Sequence, residues 1–458
     1  MYGVKIEKGP MNWQILQQQN GFAKVSLSGS VDLDEASYQK HPLVNVTVFD
    51  EDNRSRILPP QFCEIRDAKW SAELTLPLGG LYSIETSVRL DNFGIVKGER
   101  IVHIGVGDNF VITGQSNAVG IGKDMAFDES DKNVHLFRVS GNWDIATHPL
   151  HDTTNTKYPE FAETAEVGFS PWLTFAKTLT KKLGYPIGLI PATKGGIPIS
   201  FWDRDLDGKY FGYMLNLLKD SKSGVAGVLW YQGCNDSYSD ELRNAYKKSF
   251  NKVLSDFRKE LGKDIPVFTV QLNKVTCCGT KGPDIDVGRK WFSLMREIQR
   301  ELAKENDNVY MVPTIDLPVC DGIHNGAMSN IVLGQRVANV ALKYMYGKSV
   351  VCDAPDIEKA VLTERHEVTL YFTNVYDRIF SDNNPIFMLP FSVTDGNGRI
   401  LPDDYRTPGD NTIVLMFNRD IEGKATVSCD GPCEAGLMPY DKFTFLPVVM
   451  FDGVEIEK

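Results

Sequence analysis

Two short motifs carry the side chains that a serine-based acyl transfer needs. Gly-Gln-Ser-Asn at 114–117 supplies a hydroxyl, and Asp-Gly-Ile-His at 321–324 supplies an imidazole with a carboxylate three residues before it. A serine hydroxyl becomes a useful nucleophile only with a base within hydrogen-bond reach and donors for the oxyanion that forms. We therefore take Ser116 as the candidate nucleophile, His324 as the candidate base and Asp321 as the acid that would fix the imidazole tautomer.

Two further motifs offer groups that could stabilise an oxyanion. Trp-Tyr-Gln-Gly-Cys-Asn-Asp at 230–236 contains two neutral side-chain amides, Gln232 and Asn235. Lys-Gly-Gly-Ile-Pro at 194–198 contains glycines, whose backbone N–H groups stay open to a ligand. Each motif taken singly also fits ordinary turn chemistry, in which serine caps a helix and glycine or asparagine bends the chain. The occurrence of all four motifs in one region is what indicates a site.

The elements around these motifs predict that the four loops meet. Between about residues 109 and 347 apolar runs alternate with helical patterns, as in a doubly wound α/β domain with a mostly parallel sheet. The predicted strands are 110–113, 187–192, 225–231, 267–272 and 309–312, and the predicted helices are 170–184, 241–261, 289–304 and 328–346. The motifs stand at or just past the ends of strands. Because the carboxyl ends of parallel strands share one edge, the four loops should converge there.

The chain on either side of this region has the period-two alternation that is typical of antiparallel sheets. The alternation runs through about residues 23–100 and returns after residue 355, with turn clusters between the apolar segments. We therefore predict three domains, namely an N-terminal β domain at 1–104, an α/β domain at 105–349 and a C-terminal β-sandwich at 350–458.

Length, composition and charge set the class of protein. The chain has 458 residues, 42% of them hydrophobic and 24% charged, which describes a soluble globular protein of two or three domains. A net charge of −11 with no basic block argues against nucleic acid or an anionic membrane as partner, and no apolar run is long enough to insert into a membrane. Because no Cys-x-x-Cys pair is present, a zinc site has little support, and we expect no metal or organic cofactor.

The eight cysteines point to mostly free thiols. The pair Cys429 and Cys433 is the most favoured disulfide. Cys234, inside one of the motifs, fits a small buried apolar residue, with a disulfide to another cysteine as the alternative.

Together the motifs resemble those of the SGNH hydrolases, in particular the branch that contains sialate O-acetylesterases and acetylxylan esterases. The matching blocks are Gly-Gln-Ser-Asn, Gly-Gly-x-Pro-Ile followed by Trp202, Trp-Tyr-Gln-Gly and Asp-x-x-His. The likeness covers about residues 100–350 well and extends more weakly to 390–395 and 411–413. It implies an SGNH-hydrolase-like sheet flanked by N- and C-terminal β-sandwich-like domains, and a serine carboxylic-ester hydrolase that removes acetyl groups from glycans.

The resemblance carries roles over to individual residues. It implies that Ser116, Asp321 and His324 form a catalytic triad. It also implies that the backbone N–H groups of Ser116 and Gly196 join a side-chain amide in an oxyanion hole.

This chain departs from the family at two places in the third motif. The family commonly has Glu where this chain has Cys234, and it usually has Ser or Thr followed by Asn or Asp where this chain has Asn235 and Asp236. The acid role should then rest on Asp321 alone. Gln232 and Asn235 stay rival amide donors, with a slight preference for Gln232.

The implied substrate is an acetylated glycan or sialoside. Candidate contacts to it are Gln115, Trp202, Tyr231 and Arg138, since aromatic faces suit sugar rings and a guanidinium suits a sialic acid carboxylate. Aromatic residues at strand ends are, however, more often part of a core. Acetylated xylan is the alternative substrate, and a glycan-binding protein without catalytic activity is the more distant alternative.

The location and the assembly are less constrained by the sequence. Residues 1–20 lack the basic-then-apolar pattern of a signal peptide, which indicates either a cytoplasmic protein or a leader that the sequence does not include. The resemblance favours a periplasmic or secreted protein. The oligomeric state stays open.

Overall fold

The computed structural model describes residues 2–90, 94–276, 285–381, 390–431 and 438–458. The protein is of the mixed α/β class and contains several sheets. No helix in these ranges is both long and apolar enough to cross a membrane.

The N-terminal region is built almost wholly of strands, as the alternating pattern predicts. They are β1 (Gly3–Lys8), β2 (Ile15–Gln17), β3 (Phe22–Asp32), β4 (Leu43–Asp50), β5 (Gln61–Glu64), β6 (Lys69–Pro77), β7 (Gly79–Leu90) and β8 (Gly94–Gly114), with a single helical turn α1 (Glu35–Tyr38). Strands β1, β3 and β6 form one antiparallel sheet, in which alternate side chains of β3 and β6 are buried. The period-two alternation therefore becomes a half-buried surface.

Strand β8 joins this region to the rest of the molecule. Its first part pairs with β7 in antiparallel fashion, and its last part, from Asp108 to Gly114, lies in the parallel sheet that follows. The boundary predicted between residues 104 and 105 therefore falls inside one continuous strand. This strand ends at the Gly-Gln-Ser-Asn motif.

The central region alternates strands and helices. Its strands are β9 (Val134–Arg138), β10 (Asn142–Ile145), β11 (Ile187–Thr193), β12 (Gly227–Tyr231), β13 (Val267–Val270) and β14 (Val309–Val312). Its helices are α2 (Ser116–Val119), α3 (Pro171–Leu183), α4 (Lys209–Ser221), α5 (Cys234–Ser237), α6 (Asp240–Leu261), α7 (Ile285–Glu305) and α8 (Ala327–Tyr344). The sequence reasoning missed the β9–β10 hairpin and helix α4, and it located the other long elements.

The sheet order is β10-β9-β11-β8-β12-β13-β14, and every neighbouring pair is parallel except β10 with β9. Helix α3 illustrates how local chemistry sets the element ends. The Ser170 hydroxyl accepts the N–H of Trp172, Pro171 occupies the first helical position, and Gly184 ends the helix at a φ of 79°. The parallel order places the ends of β8, β11 and β12 side by side.

The C-terminal region returns to strands. They are β15 (Asp356–Glu364), β16 (Glu367–Thr373), β17 (Ile379–Phe380), β18 (Phe391–Asp395), β19 (Gly398–Ile400), β20 (Asp404–Arg406), β21 (Thr412–Met416), β22 (Thr426–Cys429), β23 (Tyr440–Asp441) and β24 (Val454–Glu457). Eight of them form one sheet in the order β19-β18-β22-β24-β15-β16-β21-β20, and β17 pairs with β23. The residues of this region form a hydrophobic core distinct from those of the N-terminal and central regions, and Ile315 of the central region contributes to it.

The cysteine predictions are only partly covered by the described residues. Cys433 lies outside them, and so does the predicted Cys429–Cys433 disulfide. Cys63, Cys234 and Cys352 are buried free thiols, and Cys320 is a half-buried one.

Candidate active site

A sharp turn after β8 presents Ser116. Gly114 has a φ of 122°, and a Cβ there would lie 2.2 Å from the carbonyl oxygen of Tyr231, so glycine is required by both conformation and space. Ser116 is the first residue of α2, and its backbone N–H has no acceptor among the described residues. The turn therefore offers a hydroxyl and a free N–H at the same place.

Ser116, His324 and Asp321 form a continuous chain of hydrogen bonds. Ser116 Oγ lies 2.8 Å from His324 Nε2, and His324 Nδ1 lies 2.7 Å from Asp321 Oδ2. An ionised carboxylate can only accept, so Nδ1 carries the proton and donates it to Asp321. Nε2 is then left to accept the proton of the Ser116 hydroxyl.

Asp321 also organises the loop around the histidine. Its Oδ1 accepts the backbone N–H groups of Ile323 at 2.9 Å and His324 at 2.8 Å. Partial burial acts to raise the pKa of Asp321, but the hydrogen bonds from these two residues outweigh it and lower that pKa below its usual value. Asp321 therefore stays ionised as the acceptor for the imidazole.

Asn117, the residue after the serine, makes contacts to which the sequence reasoning gave no role. Its Nδ2 donates to the carbonyl oxygen of Ile323 at 3.1 Å, and its Oδ1 accepts the N–H of Asn325 at 3.1 Å. The only signal in the sequence was the fixed place of Asn117 within the serine motif.

The loop after β11 presents a second free backbone N–H. Gly196 has a φ of 71°, a Cβ added to it would meet nothing within 4 Å, and its N–H has no acceptor among the described residues. Two buried carboxylates hold the loop on either side of it. Glu163 accepts the N–H of Gly195 at 2.5 Å, and Asp236 accepts the N–H of Ile199 at 3.1 Å. Glu163, which also lies 3.6 Å from the Lys194 ammonium, was not found by the sequence reasoning.

The two candidate amide donors, Gln232 and Asn235, have different environments. Gln232 is fully buried, and its Nε2 donates to the Asp236 carboxylate and to the carbonyl of Ile197. Asn235 is half-buried, and its side-chain amide has no hydrogen-bond partner among the described residues. Since a donor must be free to meet an oxyanion, the geometry favours Asn235.

Cys234 is a buried thiol beside the site. Burial raises the pKa of Cys234 to about 12, so the group is a neutral thiol at physiological pH. Asn117 Nδ2 lies 3.9 Å from its sulfur. These properties fit the expected small apolar residue.

The predicted aromatic substrate contacts have to be corrected. Trp202 and Tyr231 are both fully buried, and Trp202 packs edge-on against Trp230 at 5.6 Å between ring centroids. Neither ring has a face exposed to a sugar. Both residues belong to the core because β12 is buried along its whole length and the turn at Trp202 packs under it.

The two polar candidates are engaged in internal contacts. The Arg138 guanidinium bonds Asp144, the carbonyl of Ile145 and the hydroxyl of Thr147, which ties it to its own hairpin. Gln115 is buried, and its Oε1 accepts the N–H groups of Gly233 and Asn235. The side chain of Gln115 thereby joins the serine turn to the turn after β12.

The arrangement is suited to nucleophilic acyl transfer. It combines a hydroxyl bonded to an oriented imidazole with two backbone N–H groups that have no acceptor in the described residues. In the described part of the chain, no group of three or more His, Cys, Asp or Glu side chains is arranged to hold a metal ion.

Comparison with known proteins adds a family. Residues 106–343, a little more than half of the chain, match the family described as carbohydrate esterase, sialic acid-specific acetylesterase. A search of curated protein sequences finds no match.

Solved structures that match this chain include the following two. A carbohydrate acetylesterase from Xanthomonas citri matches with a TM-score of 0.62 and 20% identity, over 97% of this chain and 98% of that one. A protein from Arabidopsis thaliana matches with a TM-score of 0.44 and 22% identity, over 52% of this chain and 98% of that one. The first of these shows a shared fold along nearly the whole chain.

Proposed function

Because this chain belongs to the sialic acid-specific acetylesterase family of carbohydrate esterases, and is therefore an ester hydrolase that acts on acetylated carbohydrate, we propose that it works through an acetyl-enzyme on Ser116. The observation that carries the proposal is the pair of contacts at His324. Its Nε2 lies 2.8 Å from Ser116 Oγ, and its Nδ1 lies 2.7 Å from Asp321 Oδ2. The substrate class is a sialic acid or another glycan with an acetylated hydroxyl.

In the first half of the reaction the acetyl group moves to the enzyme. Ser116 Oγ attacks the acetyl carbonyl carbon while His324 Nε2 takes the hydroxyl proton. The tetrahedral intermediate then collapses, the bond from the acetyl carbon to the sugar oxygen breaks, and the imidazolium gives its proton to that oxygen. The sugar leaves with a free hydroxyl, and the acetyl group stays on Ser116.

In the second half water takes the place of the sugar. His324 removes a proton from the water as its oxygen attacks the acetyl carbon. The second tetrahedral intermediate expels Ser116 Oγ, which recovers its proton from the imidazolium. Acetate is released, and the resting state of His324 and Asp321 is restored.

The developing oxyanion needs donors that are already in place. The proposed donors are the backbone N–H groups of Ser116 and Gly196 and the side-chain amide of Asn235. The support for them is that none of the three has an acceptor among the described residues. Donors held in advance need no rearrangement when charge forms on the carbonyl oxygen, which is the main source of their effect.

The architecture that we propose for this activity is an SGNH-hydrolase-like domain at about 105–349, doubly wound, with β-rich domains at 1–104 and 350–458. The parallel order around β8 and the three separate hydrophobic cores support it. The continuity of β8 through the first boundary means that the N-terminal region and the sheet share a backbone strand. We expect the N-terminal region therefore to stabilise the strand that carries the serine turn.

The test is covalent labelling together with turnover. Wild-type protein should react with a fluorophosphonate at Ser116 and should release acetate from acetylated sialosides or xylo-oligosaccharides. Ser116→Ala should lose labelling and should lower kcat on an aryl acetate by more than about 10⁴-fold. A folded Ser116→Ala protein with near-native turnover would refute the proposal.

The matched control is Ser221→Ala. Ser221 is also a buried serine, but its hydroxyl donates to the carbonyl of Leu218 at the end of α4, before β12 begins. It therefore lies at the sheet edge opposite Ser116, and the variant should keep both labelling and turnover. Comparing acetate release between sialosides and xylo-oligosaccharides then separates the two substrate classes.

A further inference from the structure

We propose that Asn117 is a positioning residue for His324, because its side-chain amide fastens both neighbours of the histidine to the helical turn that carries Ser116. This inference rests on the proposed function, in which Ser116 and His324 act as nucleophile and base. It assigns Asn117 the task of holding the distance between their reacting atoms.

The contacts of Asn117 bracket the histidine. Nδ2 donates to the carbonyl of Ile323, the residue before it, and Oδ1 accepts the N–H of Asn325, the residue after it, both at 3.1 Å. One planar amide thus fixes the two peptide groups between which the His324 side chain is attached. Rotation of the loop about its own axis would have to break at least one of these bonds.

The other end of this link is equally fixed. Asn117 follows Ser116 directly in α2, where the N–H groups of Ala118 and Val119 bond the carbonyl of Gln115 at 2.7 and 3.1 Å. Ser116 and His324 are 208 positions apart in the chain, so no local geometry sets their separation. The amide of Asn117 supplies a short, rigid connection between them.

Asn117 itself is only 3% exposed, and both polar atoms of its amide are engaged. It therefore has no group left with which to bind substrate. The loop around His324 also has hydrogen bonds that do not involve Asn117. Asp321 accepts the N–H of His324, Cys320 donates its N–H to the carbonyl of His324, and Asn273 bonds the side chain of Asn325. Loss of Asn117 should leave the loop folded but less closely held to α2.

The expected effect is on turnover and not on substrate binding. For Asn117→Ala we expect kcat to fall by about 10²-fold, which is the loss that a misplacement of about 1 Å causes in reacting groups. KM should change by less than about twofold. Asn117→Asp keeps an acceptor for Asn325 but sets a buried carboxylate oxygen against the carbonyl of Ile323, so its kcat should be at least as low as that of Asn117→Ala.

The deciding experiment is a double-mutant cycle with His324→Ala, read as kcat on an aryl acetate. If Asn117 acts through His324, the double variant should be no slower than His324→Ala alone. If the two losses multiply, or if Asn117→Ala leaves kcat unchanged, the inference is wrong. A rise in KM at constant kcat would overturn it as well, because that would mean a substrate contact.

Asn109→Ala is the matched control for a purely structural loss. Asn109 lies on β8, the strand that leads into the serine turn, at the opposite edge of the sheet. It is fully buried and donates to the carbonyl of Ile15 and to Ser223. This variant should lose stability but keep kcat. If Asn117→Ala behaves like Asn109→Ala while Ser116→Ala is inactive, the inference fails and the proposed function stands. If Ser116→Ala is active, the proposed function fails first.

Discussion

The carboxylate of Asp236 accepts the backbone N–H of Ile199 through both of its oxygens, at 3.1 Å each, and it also accepts the amide of Gln232. It thereby ties the turn after β12 to the loop that presents Gly196. Burial raises the pKa of Asp236 to about 6, although the hydrogen bonds from Gln232 and Ile199 act to lower it. Burial therefore disfavours ionisation of Asp236, the carboxyl group that holds the loop of the candidate oxyanion hole.

We expect Asp236→Asn to change how stability depends on pH. The pKa of Asp236 is about 6 in the folded protein against 3.8 in the ordinary state, so the folded state binds the proton more tightly. The free energy of unfolding of the wild type should therefore lose about 3 kcal/mol from this group as pH rises from about 3.8 to about 6, with little further loss above that. Asparagine does not ionise. Urea unfolding should therefore show the difference in unfolding free energy, Asp236→Asn minus wild type, rising by about 3 kcal/mol between pH 4 and pH 7.5.

Asp395→Asn is the control for that measurement. Hydrogen bonds from the Arg419 guanidinium, and from the backbone N–H groups of Glu422 and Asn397, hold the pKa of Asp395 below its ordinary value of 3.8. Asp395 is therefore ionised in both states above about pH 5, and none of these partners changes its charge near neutral pH, so the difference in unfolding free energy between its variant and wild type should stay constant there. Equal slopes for the two variants would show that the pH dependence does not come from Asp236.

Asp321→Asn should reduce turnover by reversing the tautomer of His324. In the variant the side-chain oxygen would still accept the N–H groups of Ile323 and His324, which leaves the amide NH₂ facing Nδ1. A donor at that position forces the imidazole proton onto Nε2, which can then no longer accept from Ser116. We expect kcat to fall by about 10²–10⁴-fold at pH 7, with KM little changed.

The same variant bears on stability. Since the pKa of Asp321 is lowered in the folded protein, its carboxylate contributes stability above the ordinary pKa of 3.8 and loses it as pH falls. Asp321→Asn should therefore be less stable than wild type at pH 7 and should approach it near pH 3. Unchanged kcat in a folded variant would mean that His324 needs no orienting acid.

Asn235 and Gln232 can be separated by what each substitution damages. Asn235→Ala removes a free amide donor, so we expect kcat to fall by about 10²–10³-fold with the melting temperature nearly unchanged. Gln232→Ala breaks buried bonds to Asp236 and Ile197, so it should lower the free energy of unfolding by about 2–3 kcal/mol. Thermal unfolding and kcat, measured on both variants, give the comparison. The opposite pattern would make Gln232 the donor.

The general position of the site was predictable because it depends on strand direction. Ser116 follows β8, and Gly196 and Asn235 follow its two neighbours β11 and β12, so parallel order alone brings three loops to one edge. Strand order alone does not predict the contact of Ser116 with His324, since His324 lies twelve positions after the end of β14. The prediction of this contact came from the Gly-Gln-Ser-Asn and Asp-x-x-His motifs and not from the order of the strands.

The residues that sequence reasoning misjudged share a physical cause. Whether Trp202 and Tyr231 face substrate or core depends on packing from other parts of the chain, which alternation along one strand does not encode. The sequence likewise does not show that the side-chain amide of Gln232 bonds the Asp236 carboxylate and the carbonyl of Ile197. Asn117 and Glu163 were missed because their partners lie 206 and 32 positions away. Only the folded chain shows such pairs.

Cys234 provides the sharpest check that the nucleophile is the serine. A cysteine near a histidine is a conceivable alternative, and Asn117 is in contact with both Cys234 and the histidine loop. Burial raises the pKa of this thiol to about 12, however, and a thiol without thiolate character is a poor nucleophile. We therefore expect Cys234→Ala to keep kcat on an aryl acetate within about fivefold of wild type, which corresponds to a change of about 1 kcal/mol in the activation free energy, because the thiol takes no part in the proposed reaction. It should also keep fluorophosphonate labelling, located at Ser116 by peptide mass spectrometry. If a folded Cys234→Ala variant is as inactive as Ser116→Ala and is not labelled, the thiol and not the serine is the nucleophile. If that inactive variant is still labelled at Ser116, Cys234 instead acts by supporting Asn117.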